Sequence, residues 1–169
     1  METKEFIELL KRLQSGDRSA VEKLYEEYFP KIYAQACMLL RNRQNAYDVA
    51  MNVFMKLYKY PSVEEIRNPR GLLKVMTQNA FKDYLRTENR NLELADWLAS
   101  PVAVDEGIWL TDITDALTDE EREIFTLHLV WGYTLIQTAE KLQRPLPTVK
   151  RRYKEIKRKI KELYPHRKK

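Results

Sequence analysis

The stretch Gly132-Tyr-Thr-Leu-Ile-Gln-Thr-Ala-Glu-Lys-Leu-Gln-Arg-Pro-Leu-Pro-Thr-Val-Lys-Arg-Arg-Tyr153 decides how the rest of the chain is read. Thr134 and Gln137 stand at capping-box spacing and predict a short helix whose inward face is Leu135 or Ile136, Ala139 and Leu142. Residues 143–146 break the pattern. A long helix is then predicted from Pro147, with Val149, Tyr153, Ile156, Ile160 and Leu163 along one side. Two helices joined by so short a break follow the plan of a helix-turn-helix, with Ala139 small enough for a close crossing. The outward face of the second helix carries Thr148, Lys150, Arg151, Arg152, Lys154, Lys157 and Arg158. Hydroxyl and guanidinium groups near a helix N-terminus suit base edges and phosphates in a major groove.

Upstream of this stretch, helical periodicity dominates. Thr118 and Glu121 form a second capping box ahead of Ile124, Phe125, Leu127 and Leu129. Phe6, Leu9, Leu10 and Leu13 make one stripe that stops at Ser15-Gly16, and Ser19 with Glu22 has the spacing to open the next helix. That helix runs through Leu24, Tyr28, Ile32, Ala36 and Leu40, and Pro30 inside it is expected to kink or divide it. Asn42 or Asn45 can cap a third helix with Ala46, Val49, Val53, Phe54 and Leu57 inward. Residues 60–68 read as a loop bracketed by Pro61 and Pro69. From Pro69 the stripe Leu72, Leu73, Met76, Ala80 and Tyr84 predicts a helix to about Arg86. Residues 91–110 have no sustained period and read as an acidic linker anchored by Trp97 and Trp109.

The fold expected is therefore all-α: two small helical domains, 1–90 and 111–169, joined by the linker 91–110, the second domain a helix-turn-helix. Composition agrees. The 169 residues are 44% hydrophobic, with four glycines and seven prolines, too few for the turns of an all-β fold. A single cysteine, Cys37, rules out an internal disulfide and fits a reducing compartment. The longest apolar run, 32–40, is interrupted by Gln35 and is short of the roughly 20 residues that span a bilayer, and no apolar signal core opens the chain. A cytoplasmic protein with no membrane insertion is expected. The net charge of +5 is unevenly spread. Residues 1–90 hold 16 basic and 12 acidic side chains, 91–147 hold 3 and 11, and 148–169 hold 11 and 2, or +4, −8 and +9. A basic end behind an acidic middle points to a polyanion as partner.

In motif order the chain resembles the RNA polymerase sigma factors of the compact extracytoplasmic-function (ECF) type, within the sigma-70 superfamily. Residues 20–90 resemble sigma region 2 in Leu24-Tyr25 with Tyr28-Phe29-Pro30, in Asn45-Ala-Tyr-Asp-Val49 with Val53-Phe54, and in Asn68-Pro-Arg-Gly-Leu-Leu73 and Gln78-Asn-Ala-Phe-Lys-Asp-Tyr-Leu-Arg86. Residues 113–163 resemble region 4, including Ala116-Leu-Thr-Asp-Glu-Glu-Arg122. The resemblance implies promoter DNA and core RNA polymerase as partners, with an anti-sigma factor as a further one. It assigns the −35 element to Pro147, Thr148, Lys150, Arg151, Arg152 and Lys154. It assigns the unpaired −10 strand to the loop 60–71 and to Asn79, Lys82, Asp83 and Arg86, and the polymerase clamp to Asp48, Asn52, Met55 and Lys56. Several positions depart from the family pattern: Tyr47, Met51 and Asn52 stand where acidic or glutamine side chains are usual. Gln143 holds the usual turn glycine's place, Pro145 a capping serine's and Leu72 a common tryptophan's.

No metal, cofactor or catalytic constellation is expected. His128 and His166 have no cysteine or histidine at ligand spacing, Cys37 reads as a core residue, and the pairs Glu64-Glu65 and Glu120-Glu121 read as loop or first-turn positions favoured by the helix dipole. Two rivals stand beside an initiation factor. One is a DNA-binding regulator using only the C-terminal helix-turn-helix. The other is a helical interaction module whose basic end is merely solvated.

Overall fold

The computed structural model describes residues 1–91 and 108–165, and among them every regular element is a helix. The chain divides into two compact units, Met1–Ala103 and Val104–Lys169. The first holds α1 (Thr3–Gln14), α2 (Arg18–Leu40), α3 (Arg43–Tyr58), a 3-10 turn (Val63–Glu65) and α4 (Pro69–Asn91). The second holds α5 (Ile108–Ala116), α6 (Asp119–Ile124), a π-helical turn (Phe125–Val130), α7 (Leu135–Leu142) and α8 (Leu146–Leu163).

In the first unit α2 is the central element, packed on α1, α3 and α4. Leu10, Leu13, Leu24, Ile32, Leu57 and Leu73 are fully buried between these helices. Each such side chain stabilises the fold by about 1.5–3 kcal/mol relative to exposure. Gln35, the polar break in the apolar run, is buried and donates from Nε2 to the Lys74 carbonyl of α4 at 3.2 Å. Of the two outcomes expected at Pro30, a kink or a division, the structure excludes the division: α2 runs unbroken through it. A proline inside a helix costs about 3 kcal/mol. Here Pro30 faces solvent while Phe29 before it is buried, stacked on Tyr25 at 4.3 Å and met edge-on by Tyr47 at 5.6 Å. That aromatic cluster holds the helix together across the missing N–H.

The caps correct other details. Asp17, not Ser19 with Glu22, opens α2: its carboxylate accepts from the Ser19 N–H at 2.9 Å and from Arg12 at 2.9 and 2.7 Å. The Arg12 guanidinium, helped by Ser19, holds the Asp17 carboxyl down at about 2. Asn42 caps α3, taking the Asn45 N–H at 3.0 Å. The segment 60–68 contains the 3-10 turn and buries Val63 and Ile66, so it is less open than a plain loop. Asn68 caps α4 through the Gly71 N–H at 2.9 Å, with Pro69 in the first helical position. A Cβ on Gly71 would lie 2.8 Å from the Asn68 amide, so only glycine leaves the cap undisturbed. Helix α4 runs on to Asn91, past the expected end near Arg86, and α5 begins at Ile108, inside the segment 91–110 read as linker. The rest of the 91–110 linker, Trp97 included, lies outside the described residues.

Candidate nucleic-acid interface

The second unit builds its surface from two capping boxes. Thr118 accepts from the Glu121 N–H, and Glu121 returns a bond to the Thr118 N–H at 2.9 Å. Thr134 and Gln137 repeat the pattern at α7, with bonds of 3.1 and 3.0 Å. Helix α7 then ends on Gln143 at φ 53°, ψ 43°, the left-handed conformation that glycine adopts without strain. The Arg144 N–H closes the turn on the Ala139 carbonyl at 2.9 Å. Pro145 stands at the N-cap of α8 with no side-chain cap, and the helix starts at Leu146, one residue before the expected Pro147.

Helix α8 packs on α5, α6 and α7 through Val149 and Ile156. Inward positions were read correctly at Ala139, Val149 and Ile156; Leu135 rather than Ile136 turns inward, and Leu163 is exposed. Of the residues expected at the −35 element, Pro147, Lys150, Arg151 and Lys154 are exposed, and the last three form no ion pair among the described residues. Thr148 and Arg152 are half-buried. Arg152 is held by Glu120 of α6, Nε to Oε2 at 3.0 Å. Behind this face Tyr153 receives the His128 ring edge-on at 4.7 Å and lies under the Lys157 ammonium at 4.9 Å. His128 donates from Nδ1 to the Tyr133 carbonyl at 2.6 Å, a packing role.

The first unit carries two further faces. Tyr47, Asp48, Met51, Asn52, Met55, Lys56 and Lys59 follow one side of α3 and line an open groove of about 590 Å³. All four residues expected at the polymerase clamp lie there, and Met55 is 53% exposed. On α4, Asn79, Lys82, Asp83 and Arg86 are exposed together. Asp83 links the two faces: Lys56 Nζ lies 3.3 Å from its Oδ2 and Arg86 3.6 Å from its Oδ1.

Residues 24–91 match the family model of sigma-70 region 2, and residues 108–160 match that of sigma-70 region 4. The chain belongs to the sigma-70 family. It is similar to the ECF RNA polymerase sigma factor SigK of Mycobacterium ulcerans, 24% identical over 162 residues that cover 87% of each chain. Its fold is that of two solved structures, each at a TM-score of 0.53. One is CnrH in complex with the cytosolic domain of CnrY, 18% identical and covering 96% of this chain and 98% of that one. The other is the sigma factor RpoE in complex with the anti-sigma factor NepR from Bartonella quintana, 20% identical and covering 87% and 97%. This sigma factor is an ECF-type, promoter-specific transcription initiation factor, and the reading as a regulator without initiation is not favoured. No helix among its described residues is long and apolar enough to cross a membrane.

Sequence reasoning missed Lys59 on the α3 face, although it continues the spacing of Tyr47, Met51 and Met55. It also missed Glu120 and Glu121 as ligands of the basic helix. Their signal was weak, because both partners, Arg152 and Lys159, are more than 30 positions away.

Proposed function

We propose that this sigma factor attaches to core RNA polymerase through the α3 face of Asp48, Asn52, Met55 and Lys56. In the same reading it captures the unpaired −10 strand on α4 with Asn79, Lys82 and Arg86, and docks α8 on the −35 element with Pro147, Thr148, Lys150, Arg151, Arg152 and Lys154. Asp83 serves the second face by steadying Arg86 and Lys56. The domains of the reading are 1–90 and 111–169, joined by 91–110. The protein acts in the cytoplasm, has no catalytic residues of its own and is restrained by an anti-sigma factor, as the RpoE–NepR complex exemplifies for a protein of this fold.

One observation carries the reading: the chain holds exposed basic side chains on two helices of separate units, Lys82 and Arg86 on α4 and Lys150, Arg151 and Lys154 on α8. A regulator docking one helix in a groove has no use for the first set. An initiation factor needs it, because extruding bases costs a few kcal/mol that must be offset by contacts to the open strand. The test uses core polymerase, the full chain and duplexes recovered by that holoenzyme from a randomised pool. A Lys82→Ala, Arg86→Ala double variant is expected to bind core polymerase normally and to lose permanganate-reactive thymines on duplex DNA. Reactivity returns in part on a template already mismatched over the −10 region. Wild-type footprints from the double variant on duplex DNA would overturn the α4 assignment.

A further inference from the structure

Glu120 has an unusual place in the C-terminal unit. It sits in the first turn of α6 yet takes no part in the capping box, which uses Thr118 and Glu121. Its carboxylate instead faces two guanidinium groups from a different part of the motif. Oε2 accepts from Arg152 Nε of α8 at 3.0 Å, and Oε1 lies 3.9 Å from Arg144 Nε in the turn between α7 and α8. The side chain of Glu120 is 29% exposed and that of Arg152 38%.

Position on the helix distinguishes Arg152 from its neighbours. With about 100° per residue, Arg151 falls on the side of α8 opposite the buried Val149 and Ile156, whereas Arg152 falls about 60° from Val149, on the flank beside α6. A side chain at the centre of the exposed face reaches base edges; one on the flank reaches the sugar–phosphate wall of the groove. Arg152 is bound through Nε alone, so its terminal amino groups keep donors for a second acceptor. Arg144, 60% exposed, presents another guanidinium beside it.

From this juxtaposition we propose that Glu120, Arg144 and Arg152 form a preorganised clamp for one backbone phosphate of the −35 duplex, with Glu120 as the positioning residue. The carboxylate suppresses the repulsion between the two cations and fixes their orientation, and the phosphate occupies the free edges of the guanidinium groups. This makes Arg152 a phosphate ligand, leaving Arg151 and Lys150 to face the bases. A contact of this kind sets the register of α8 in the groove without reading sequence. The proposal rests on the reading of α8 as the −35 helix.

The sign of one substitution tests it. Glu120→Gln removes a negative charge beside DNA, which on net charge alone strengthens binding. The clamp demands the opposite. With the full chain on core polymerase, and duplexes that the wild-type holoenzyme selects from a randomised pool, Glu120→Gln is expected to weaken binding about 3- to 5-fold for all selected sequences alike. Arg152→Ala weakens it about 5- to 10-fold, and the double variant is no weaker than Arg152→Ala, because both remove one device. Replacing single phosphates by methylphosphonates should reveal one position that harms the wild type and leaves Arg152→Ala unaffected. Because Glu120 lies outside the capping box, amide exchange of α6 and α8 in Glu120→Gln should match the wild type. Tighter binding by Glu120→Gln would show that the carboxylate competes with DNA and overturn the proposal, as would additive losses or a loss confined to particular base pairs. If the wild-type holoenzyme selects no duplex at all, the −35 reading itself fails and the clamp with it.

Discussion

Replacing Lys159 by methionine should unlock the C-terminal unit, and the loss should shrink as pH falls toward the carboxylate range. Lys159 Nζ lies 2.6 Å from Glu121 Oε2 and 3.1 Å from the Ala116 carbonyl, so one ammonium ties α8 to the α5–α6 junction. Its partner side chain is 2% exposed, while that of Lys159 is 24% exposed. Lys159→Met leaves that carboxylate buried with the Thr118 N–H as its remaining donor. Stripping one partner from a buried pair costs about 3–5 kcal/mol, and the partial exposure of Lys159 places this case at about 3 kcal/mol. Glu121→Gln is milder, about 1–2 kcal/mol, since glutamine preserves the capping box and the freed ammonium can turn to water. The double variant, with neither charge, should be more stable than Lys159→Met alone.

Burial pushes the Glu121 carboxyl up, but the bonds from Lys159 and Thr118 outweigh it and hold the group below its ordinary value of 4.5. A depressed folded value means that the wild-type contribution is complete above 4.5 and drains away as pH falls below it. Without Lys159 the burial effect loses its main opponent, and the folded carboxyl moves up. The deficit of Lys159→Met should therefore shrink as pH falls from 7.5 to 4. Two units make a single melting curve ambiguous, so the measurement is native-state amide exchange of residues 149–160 in the full chain. A 3 kcal/mol loss appears there as about a hundredfold drop in protection. A drop below about fivefold, or a deficit unchanged between pH 4 and 7.5, would refute the reasoning.

Gln143→Gly should raise the stability of the same unit by about 1 kcal/mol, read from the exchange of α7 and α8 amides, because it relieves a side chain held at φ 53°. Gly71→Ala should cost about 1 kcal/mol in the first unit by pushing Asn68 off the α4 cap, seen as faster exchange in the first turns of α4. Arg151→Ala should relax base preference at one or two −35 positions by about 1–3 kcal/mol, while Lys157→Ala weakens all sequences about equally; holoenzyme selection from a randomised pool distinguishes the two outcomes.

Local chemistry was legible where a signal and its consequence lie within one turn of helix. Both capping boxes, the Gly16 stop after α1, the Asn42 cap and Pro69 at the head of α4 are of that kind. At Gln143 the sequence showed only that a turn glycine's place was taken by another residue; the structure keeps the left-handed turn there, at φ 53°. What failed depended on distant partners. Pro30 was read by its intrinsic cost, but Tyr25, Phe54 and Tyr47 cluster with Phe29 beside it and hold α2 continuous. Ser19 had the spacing of a cap, yet Asp17 took the position because Arg12 of the previous helix reaches it. The α3 and α4 faces were placed through family motifs rather than periodicity. An exposed helix stripe shows where core is absent, and nothing in the stripe itself names what covers it.

The carboxylates explain how a basic helix ends up with a defined binding face. Left to itself, the dense positive charge of α8 would repel along its length and present cations on every side. Instead Arg158 is engaged by Glu155 at 3.0 Å and Glu162 at 2.7 Å, Lys159 by Glu121 and Arg152 by Glu120. These acids pair three of the basic side chains along α8. Lys150, Arg151 and Lys154, near the N-terminus, remain without an ion pair among the described residues. Counterions condensed on DNA are released by unpaired cations, since a paired one must first give up its carboxylate. At physiological salt, screening over about 8 Å keeps the distant acids of the unit from cancelling that face. The unit therefore has short-range acids where it needs rigidity and uncompensated bases where it needs a partner, and the acidic composition of 91–147 supplies the former without diminishing the latter.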